Sequence, residues 1–322
     1  MSPGPLVSVV IPAYNQAAYL RGAIDSVLAN GDVPLELIVV NDGSTDDSAL
    51  VLESYGARIT AVTQPNQGAA NALNRGIRAA SAEFVCWLSA DDEFLPGKIR
   101  TQVDFLESHP EVGMCCTGFV VIDALDRVVR HERAPRWPHP DPFVAVFWRN
   151  PINGSTVMLR RAVFDDVGPF DERLPADVDA DMWMRIALRW EIRQIEGEYV
   201  RYRVHGASLS SNRPLMRSTM TEVRRARIDD GSLMQRALAA GGGEPELFAR
   251  MSTEYAWRGL RDLARGLLAM SVHAGRARGW QLAARLMLAA TAWTPAHLAV
   301  VRLGGRLRRG AWRLREAWAA TR

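Results

Sequence analysis

The sequence predicts an α/β fold in which a mostly parallel central sheet is covered by helices on both faces and is followed by a C-terminal helical region. Near-continuous apolar runs of strand length alternate with helical patterns over the first 100 residues, as buried parallel strands and their crossover helices do. Polar turn residues follow each run. The charge also changes sign along the chain, because residues 1–212 carry a net charge of −9 and residues 213–322 a net charge of +12.

Each strand–helix repeat is indicated by its composition. The first run is β-branched and stops at Pro12, after which Leu20, Ile24 and Val27 recur with the spacing of one helix face. Gly43 permits a tight turn after the second run, and the third run leads into another helical pattern. The fourth run ends in two adjacent carboxylates. We therefore expect parallel strands at residues 7–12, 35–40, 59–62 and 84–88.

The loops that leave these strands carry the candidate site. Ligands of parallel sheets bind outside the carboxyl ends of the strands, so we expect the loops containing Tyr14, Asp42, Asn66 and Asp92 to meet at one edge. Carboxylates at the end of a buried strand are hard oxygen ligands that suit Mg²⁺ or Mn²⁺. The alternative is that the adjacent acids only cap a helix and that Asp42 is only a turn residue.

Four segments resemble the successive motifs of one enzyme family. They read VVIPAYN at residues 9–15, VVNDGSTD at residues 39–46, NQG at residues 66–68 and LSADD at residues 88–92. In this order and spacing they are similar to the inverting family 2 glycosyltransferases, which have the GT-A fold. The resemblance covers residues 5–212 and implies transfer of a sugar from a nucleotide-diphosphosugar with inversion at the anomeric carbon.

The resemblance also implies which residues bind the donor. It makes Asp92 and His205 ligands of Mn²⁺ or Mg²⁺, a cation that would bridge the diphosphate oxygens. Arg203 and Arg213 are further candidates for contacts to the diphosphate. The residues that it places around the nucleotide are Pro12, Ala13, Tyr14, Asn15, Asp42, Asn66 and Asp91.

The general base is expected at the start of a later helix. A single displacement with inversion needs a base beside the acceptor hydroxyl, and the family places it just before a helix that contains an aromatic residue. Alignment on that pattern gives Asp179 as the base and Asp181 as a supporting acid in the first helical turn. The alternative is that these acids only begin a helix.

Two departures from the family pattern keep other functions open. Ser89 replaces an Asp that many relatives carry, and Val178 stands where a Glu or Asp often precedes the base. A GT-A scaffold with impaired catalysis, or a protein that only binds sugar nucleotides, is therefore one alternative. A sugar-nucleotide pyrophosphorylase is less consistent with the sequence, because no Gly-rich loop with Arg and Lys follows the first strand.

The substrates are indicated only by class. Uridine diphosphate sugars are the commonest donors of the family, although guanosine and deoxythymidine donors use the same scaffold. We expect a sugar or lipid-linked acceptor, in bacterial-type cell-surface polysaccharide or glycolipid synthesis. The absence of a leader pattern and the presence of only Cys86, Cys115 and Cys116 favour a cytoplasmic protein.

The basic tail is the remaining feature that calls for a partner. Residues 263–315 contain no acid, and the 16-residue uncharged run at 286–301 is shorter than the ~20 residues of a spanning helix. This pattern favours either a peripheral contact with the anionic inner face of the cytoplasmic membrane or a basic helical bundle packed on the catalytic domain. Nucleic acid ranks low, because the sequence shows none of the usual recognition motifs. The residues that would meet the membrane are Arg302, Arg306, Arg308, Arg309, Trp312, Arg313, Arg315 and Trp318.

Overall fold

The structure is a computed structural model that describes residues 6–133, 137–206, 208, 211–239, 245–257, 260–274, 281 and 284. The chain divides into two compact units, Met1–Val223 and Arg224–Arg322. The division falls inside the helix Arg213–Asp229, whereas the charge pattern had suggested a boundary at its start. Each unit has its own buried apolar core.

The described part of the first unit contains one mixed sheet of nine strands. The strands are β1 (Val7–Ala13), β2 (Leu35–Asp42), β3 (Thr60–Gln64), β4 (Phe84–Trp87), β5 (Glu93–Phe94), β6 (Val112–Asp123), β7 (Val128–Glu132), β8 (Met158–Arg160) and β9 (Glu191–Val204). The helices are α1 (Ala17–Leu28), α2 (Ser48–Glu53), α3 (Ala69–Ala79), α4 (Lys98–Ser108), α5 (Pro142–Arg149), α6 (Ala162–Val167) and α7 (Val178–Ala187).

The four strands predicted from the N-terminal repeats are present and parallel. They lie in the order β3-β2-β1-β4, and β1 pairs along its full length with β2. The β-branched composition of β1 and β2 explains their position, since both strands are almost completely buried between helices. The predicted α/β class is therefore confirmed, with these four consecutive parallel strands in one half of the sheet.

The other half of the sheet is mixed. β8 runs antiparallel to both β4 and β6, whereas β6 and β9 form a long parallel pair. β7 folds back on β6 as a hairpin, and β5 pairs with β9. Short connections such as the β6–β7 turn can only join antiparallel strands. The pairing of β5 with β9 places the residues that follow β9 beside the turn that follows β4.

The second unit is helical in its described part, as the sequence predicts. No helix of the described residues is long and apolar enough to cross a membrane. The arginine and tryptophan residues assigned to a membrane contact, from Arg302 to Trp318, lie outside the described residues. The helices of the C-terminal region are α8 (Arg213–Asp229), α9 (Ser232–Ala239), α10 (Pro245–Trp257) and α11 (Arg261–Ala274).

Candidate active site

The loops after β1 and β2 are joined by hydrogen bonds at the carboxyl edge of the sheet. Asn15 has a left-handed backbone (φ 52°), and its amide N–H donates to Ser44 Oγ over 3.0 Å. Its side-chain Oδ1 accepts from the amide of Thr45 over 2.7 Å. Asn15, predicted as a nucleotide contact, therefore also fixes the shape of the predicted donor pocket.

Asp42 is buried and holds the loop before α3. Its Oδ1 accepts from Gln64 Nε2 and from the amide of Gln67, and its Oδ2 accepts from the amide of Gly68, each over 2.8 Å. Only 3% of the residue is exposed. An ionised carboxylate offers about four acceptor positions, so one position on Oδ2 is left after these three bonds.

The other residues predicted around the nucleotide lie on the same edge. Tyr14 is 45% exposed, although a side chain of its size is usually covered. Pro12 and Ala13 end β1, and the Ala13 methyl group is buried. Asn66 is exposed and its Oδ1 accepts from the amide of Gly68 over 3.2 Å. An exposed aromatic ring can pack against a nucleobase.

Asp91 and His205 form a pair where β4 and β9 end. Asp91 Oδ2 lies 2.9 Å from His205 Nε2, and the two side chains are 14% and 9% exposed. The pairing of β9 with β6 and of β5 with β9 brings the two residues together across a long stretch of sequence. The sequence had grouped His205 with Asp92, whereas the structure places Asp91 against it.

Asp92 points into the protein instead. It is 1% exposed, its Oδ1 accepts from the amide of Arg203 over 2.8 Å, and its Oδ2 accepts from Ser155 Oγ over 2.6 Å. Burial, with the neighbouring charge of Asp91, raises the pKa of this carboxyl well above its ordinary value. Asp92 is therefore held as an anchor by these two bonds, and its role as a metal ligand stays a prediction.

The Asp91–His205 pair fits a divalent cation. A carboxylate oxygen and an imidazole nitrogen are both ligands that Mn²⁺ accepts. In this structure the two atoms are hydrogen-bonded at 2.9 Å, a separation that neighbouring ligand atoms around an ion held at about 2.1 Å, about 3 Å apart, would also have. The described residues contain no group of three or more His, Cys, Asp or Glu that could hold a metal. A cation here would need further ligands, and diphosphate oxygens are suitable.

Arg203 does not have the exposure that a diphosphate contact requires. Its side chain is 4% exposed, and its Nε donates to the main-chain oxygen of Asp91 over 2.8 Å. One guanidinium nitrogen contacts Asp126 Oδ1 at 2.6 Å and another contacts Glu93 Oε1 at 3.2 Å. This corrects the expectation for Arg203. Arg213, the other candidate, begins α8 and is exposed.

Asp179, the predicted base, lies in the first turn of α7. Its Oδ2 is 3.5 Å from Asn150 Nδ2. Trp183 lies one helical turn further on and stacks on Trp87, with ring centroids 5.5 Å apart and an interplanar angle of 12°. Because Trp87 ends β4, this stacking packs α7 against the strand that leads to Asp91.

Asp181 has a structural role of its own. It is 7% exposed and forms an ion pair with Arg185 over 2.8 Å. Arg185 in turn donates to the main-chain oxygen of Pro169 over 2.9 Å. Asp181 therefore fixes α7 to the preceding loop. Its negative charge in the first turn also interacts favourably with the positive end of the helix dipole.

Several site residues were not identified from the sequence. Ser155, which holds Asp92, follows Asn153, whose side chain caps the one-turn helix Gly154–Thr156 by accepting from the amide of Ser155. The NGST motif at residues 153–156 was a signal for it. Tyr19 packs its ring against both His205 and Arg203, and nothing in its local sequence indicated this contact.

Known proteins share this fold and these motifs. Residues 8–168 match the model of glycosyl transferase family 2. An uncharacterized glycosyltransferase of Rickettsia prowazekii is 33% identical over 212 residues, which are 64% of this chain and 66% of that protein. One of Rickettsia felis is 34% identical over 213 residues, which are 62% of this chain and 34% of that protein. The chain thus spans less than two thirds of the length of these relatives.

Solved structures are similar in fold at low sequence identity. A crystal structure of TarS from S. aureus has a TM-score of 0.60 at 16% identity, covering 92% of this chain and 55% of that one. The mannosyltransferase PcManGT from Pyrobaculum calidifontis, in complex with GDP-Man and Mn²⁺, has a TM-score of 0.58 at 20% identity, covering 93% and 88%. The chain belongs to glycosyl transferase family 2 and has the GT-A fold.

Proposed function

We propose that the protein is a metal-dependent, inverting glycosyltransferase that moves a sugar from a nucleotide-diphosphosugar to an acceptor hydroxyl. The observation that carries this proposal is the Asp91–His205 pair, a carboxylate oxygen and an imidazole nitrogen 2.9 Å apart where β4 and β9 end. The joined loops after β1, β2 and β3 line the same edge of the sheet. Family membership supplies the reaction class.

In this proposal each residue has a separate task. Asp91 and His205 would hold Mn²⁺ or Mg²⁺, which would supply positive charge to offset the charge that develops on the leaving nucleotide diphosphate. Asp92 fixes the turn that presents Asp91, through Ser155 and the amide of Arg203. Asp179 accepts the proton of the acceptor hydroxyl as the new bond forms on the face opposite the leaving group.

The donor base is proposed from the acceptor position left on Asp42. A carboxylate reads an N–H, and the ring N–H groups of uracil, thymine and guanine can supply one. Cytosine and adenine present an acceptor at the corresponding ring nitrogen. Tyr14 would cover the base, and Pro12, Ala13, Asn15 and Asn66 would line the pocket. One TarS structure contains UDP-GlcNAc and the PcManGT structure contains GDP-Man, and we favour a UDP-sugar here.

The acceptor and location are proposed from the tail. With a net charge of +12 on residues 213–322, the C-terminal region would be attracted to an anionic surface. A lipid-linked acceptor at the inner face of the cytoplasmic membrane, in polysaccharide or glycolipid synthesis, fits this charge. A cytoplasmic enzyme with peripheral membrane contact follows from the same argument.

A nucleotide binding panel tests the donor and the metal together. Ligands that bind the folded state raise the melting temperature, so UDP, dTDP and GDP should do so more strongly with Mn²⁺ than without it. ADP and CDP should have little effect if Asp42 reads a ring N–H. Incubation of a UDP-sugar with Mn²⁺ and an acceptor-free enzyme should also release UDP slowly.

Matched variants locate the metal. Asp91→Asn and His205→Ala should remove the Mn²⁺-dependent part of UDP binding and leave the metal-free part. His131→Ala is the control, because His131 also pairs with an acid, Glu198 at 2.9 Å, but lies on the exposed strand β7. Equal effects of His131→Ala and His205→Ala would contradict the assignment.

A further inference from the structure

We propose that Arg203 is a positioning residue that sets the separation and orientation of the Asp91–His205 pair, so that the affinity for the divalent cation depends on a side chain that never touches it. This inference rests on the proposed function, because it concerns the same cation. It replaces the diphosphate contact that the sequence suggested for Arg203. Three groups of contacts carry it.

The first group fixes the main chain at Asp91. Arg203 Nε donates to the Asp91 carbonyl oxygen over 2.8 Å, and the amide of Arg203 donates to Asp92 Oδ1 over 2.8 Å. One residue of β9 therefore holds two successive residues of the β4 turn, one through its side chain and one through its backbone. Because Arg203 holds the main chain at Asp91, the remaining freedom of the Asp91 carboxylate is rotation of its side chain.

The second group fixes the other end of the guanidinium. Its terminal nitrogens contact Asp126 Oδ1 at 2.6 Å, Glu93 Oε1 at 3.2 Å and the Asp123 carbonyl at 3.3 Å. Asp126 occupies the tight β6–β7 turn with φ 64°, so its carboxylate is held by a constrained backbone. The planar fork of an arginine can satisfy these separate acceptors simultaneously, which a lysine ammonium cannot reproduce.

The third group connects Arg203 with His205. Arg203 lies near the end of β9, and His205 directly follows Val204, the last residue of that strand. Tyr19 of α1 packs against both, with the guanidinium 4.8 Å and the imidazole ring 5.0 Å from its ring centroid. The side chain that fixes Asp91 is therefore also part of the packing that orients His205.

The burial of Arg203 indicates that its guanidinium serves these internal contacts. Arg203 is 3% exposed, and a guanidinium is removed from water at high cost unless its donors are paired. An arginine that only contacted the diphosphate could do so from an exposed position. Outer contacts of this kind orient metal ligands, and their removal typically lowers metal affinity by about 10–100-fold.

Arg201 provides a matched control two residues earlier on β9. It is also an arginine that pairs with Glu93, at 2.6 Å, and with Asp126, at 3.6 Å, but none of its contacts reaches Asp91. Removal of either arginine takes one positive charge from the same two acids. Only removal of Arg203 also releases the Asp91 main chain.

The experiment measures UDP binding to the full chain by calorimetry with and without Mn²⁺. The metal coupling is the dissociation constant for UDP without Mn²⁺ divided by the dissociation constant with Mn²⁺. We expect Arg203→Met to lower this ratio about 10–100-fold and Arg203→Lys to lower it less, while the Mn²⁺-free dissociation constant stays within about twofold. Arg201→Met should leave the ratio unchanged. If Arg203→Met does not fold, Asp126→Asn, which weakens one anchor at an exposed position, should lower the ratio several-fold.

The outcomes separate the two proposals. A normal ratio in folded Arg203→Met, or an equal loss in Arg201→Met, overturns the positioning role and leaves the proposed metal site in place. A wild-type protein that binds UDP equally well with and without Mn²⁺ overturns the metal part of the proposed function, and the role of Arg203 falls with it.

Discussion

Gly76 lies where α3 touches the sheet, and Gly76→Ala should destabilise the protein although alanine favours helices. A Cβ atom on Gly76 would lie 2.3 Å from Val10 Cγ1, 3.1 Å from Val10 Cγ2 and 3.3 Å from Val10 Cβ. Val10 is fully buried in the central strand β1, so neither partner can move without shifting its element. The close approach of α3 to β1 thus requires a glycine at position 76.

The magnitude follows from two opposing terms. Gly→Ala inside a helix gains roughly 0.5–1 kcal/mol, and overpacking a filled core costs about 1–3 kcal/mol. The approach of 2.3 Å is far inside the 3.5–4.0 Å optimum for carbon contacts, which places the cost at the upper end. We expect a net loss of about 2 kcal/mol in the free energy of unfolding.

Gly22→Ala is the matched control. Gly22 lies inside α1, and its added Cβ would meet only the end of the Glu93 side chain, with Oε1 at 3.1 Å. A shift of a few tenths of an ångström in that carboxylate, which also pairs with Arg201 and Arg203, relieves the contact, so the variant should be between neutral and about 0.5–1 kcal/mol more stable. Urea unfolding of both variants, with unchanged m-values, measures the difference.

A double-mutant cycle tests the named contact. Val10→Ala makes room for the new methyl group, so the double variant Val10→Ala with Gly76→Ala should be more stable than the sum of the single effects by at least about 1 kcal/mol. Additive effects, or a Gly76→Ala variant as stable as Gly22→Ala, would refute the reasoning that α3 approaches β1 too closely for a Cβ.

Three further predictions address the base, the core and the tail. Asp179→Asn should lower the single-turnover rate at least about 10²-fold with donor affinity within about twofold, and lost donor binding with normal chemistry would exclude Asp179 as the base. Burial lowers the pKa of the Lys98 ammonium, so just below the unfolded value of about 10.4 the unfolded chain holds more protons than the folded chain; wild type should therefore gain stability relative to Lys98→Met as pH rises toward about 10, and a constant difference in urea unfolding contradicts this. Replacing Arg306, Arg308 and Arg309 by Gln should reduce co-sedimentation with anionic vesicles at low salt, since each contributes about 1 kcal/mol near such a surface; unchanged binding would favour a packing role for the tail.

The N-terminal half of the sheet was predictable because its signals are local. Each strand, its turn and its helix follow one another in the sequence, and parallel pairing of β1 with β2 and β4 follows from that alternation. The pairing of β6 with β9 joins segments far apart in the chain, with register shifts at Gly118. No local pattern encodes such a pairing, and it is this pairing that brings His205 to Asp91.

The different directions of the Asp91 and Asp92 side chains could also not be predicted from the sequence. Both are carboxylates at the end of the same strand, and their residue types are identical. Their directions are set by partners elsewhere: Ser155 and the amide of Arg203 draw Asp92 inward, and His205 meets Asp91. The motif therefore predicted where the two carboxylates lie, and the fold decides which of them lies against His205 and which is buried.

Val178 leaves Asp179 with a polar neighbour despite the broken acidic pair. Asn150, at the end of α5, places its Nδ2 3.5 Å from Asp179 Oδ2. An amide donor at this distance can help to orient the carboxylate that is proposed as the base. A second acid at position 178 would instead add a like charge beside the base. The substitution is thus compatible with the proposed chemistry.

Ser89 is compatible with the proposed function, because its contacts are part of the structure around Asp92. Its amide donates to Ser155 Oγ over 3.1 Å, and its own Oγ lies 3.3 Å from the same hydroxyl, which contacts Asp92 at 2.6 Å. Ser89 therefore contacts Ser155, the residue that holds Asp92. An aspartate at this position would bring a third carboxylate beside Asp91 and the buried Asp92, whose pKa burial and Asp91 already raise. Since the ligands proposed for the cation are Asp91 and His205, the missing carboxylate is not one that the metal needs.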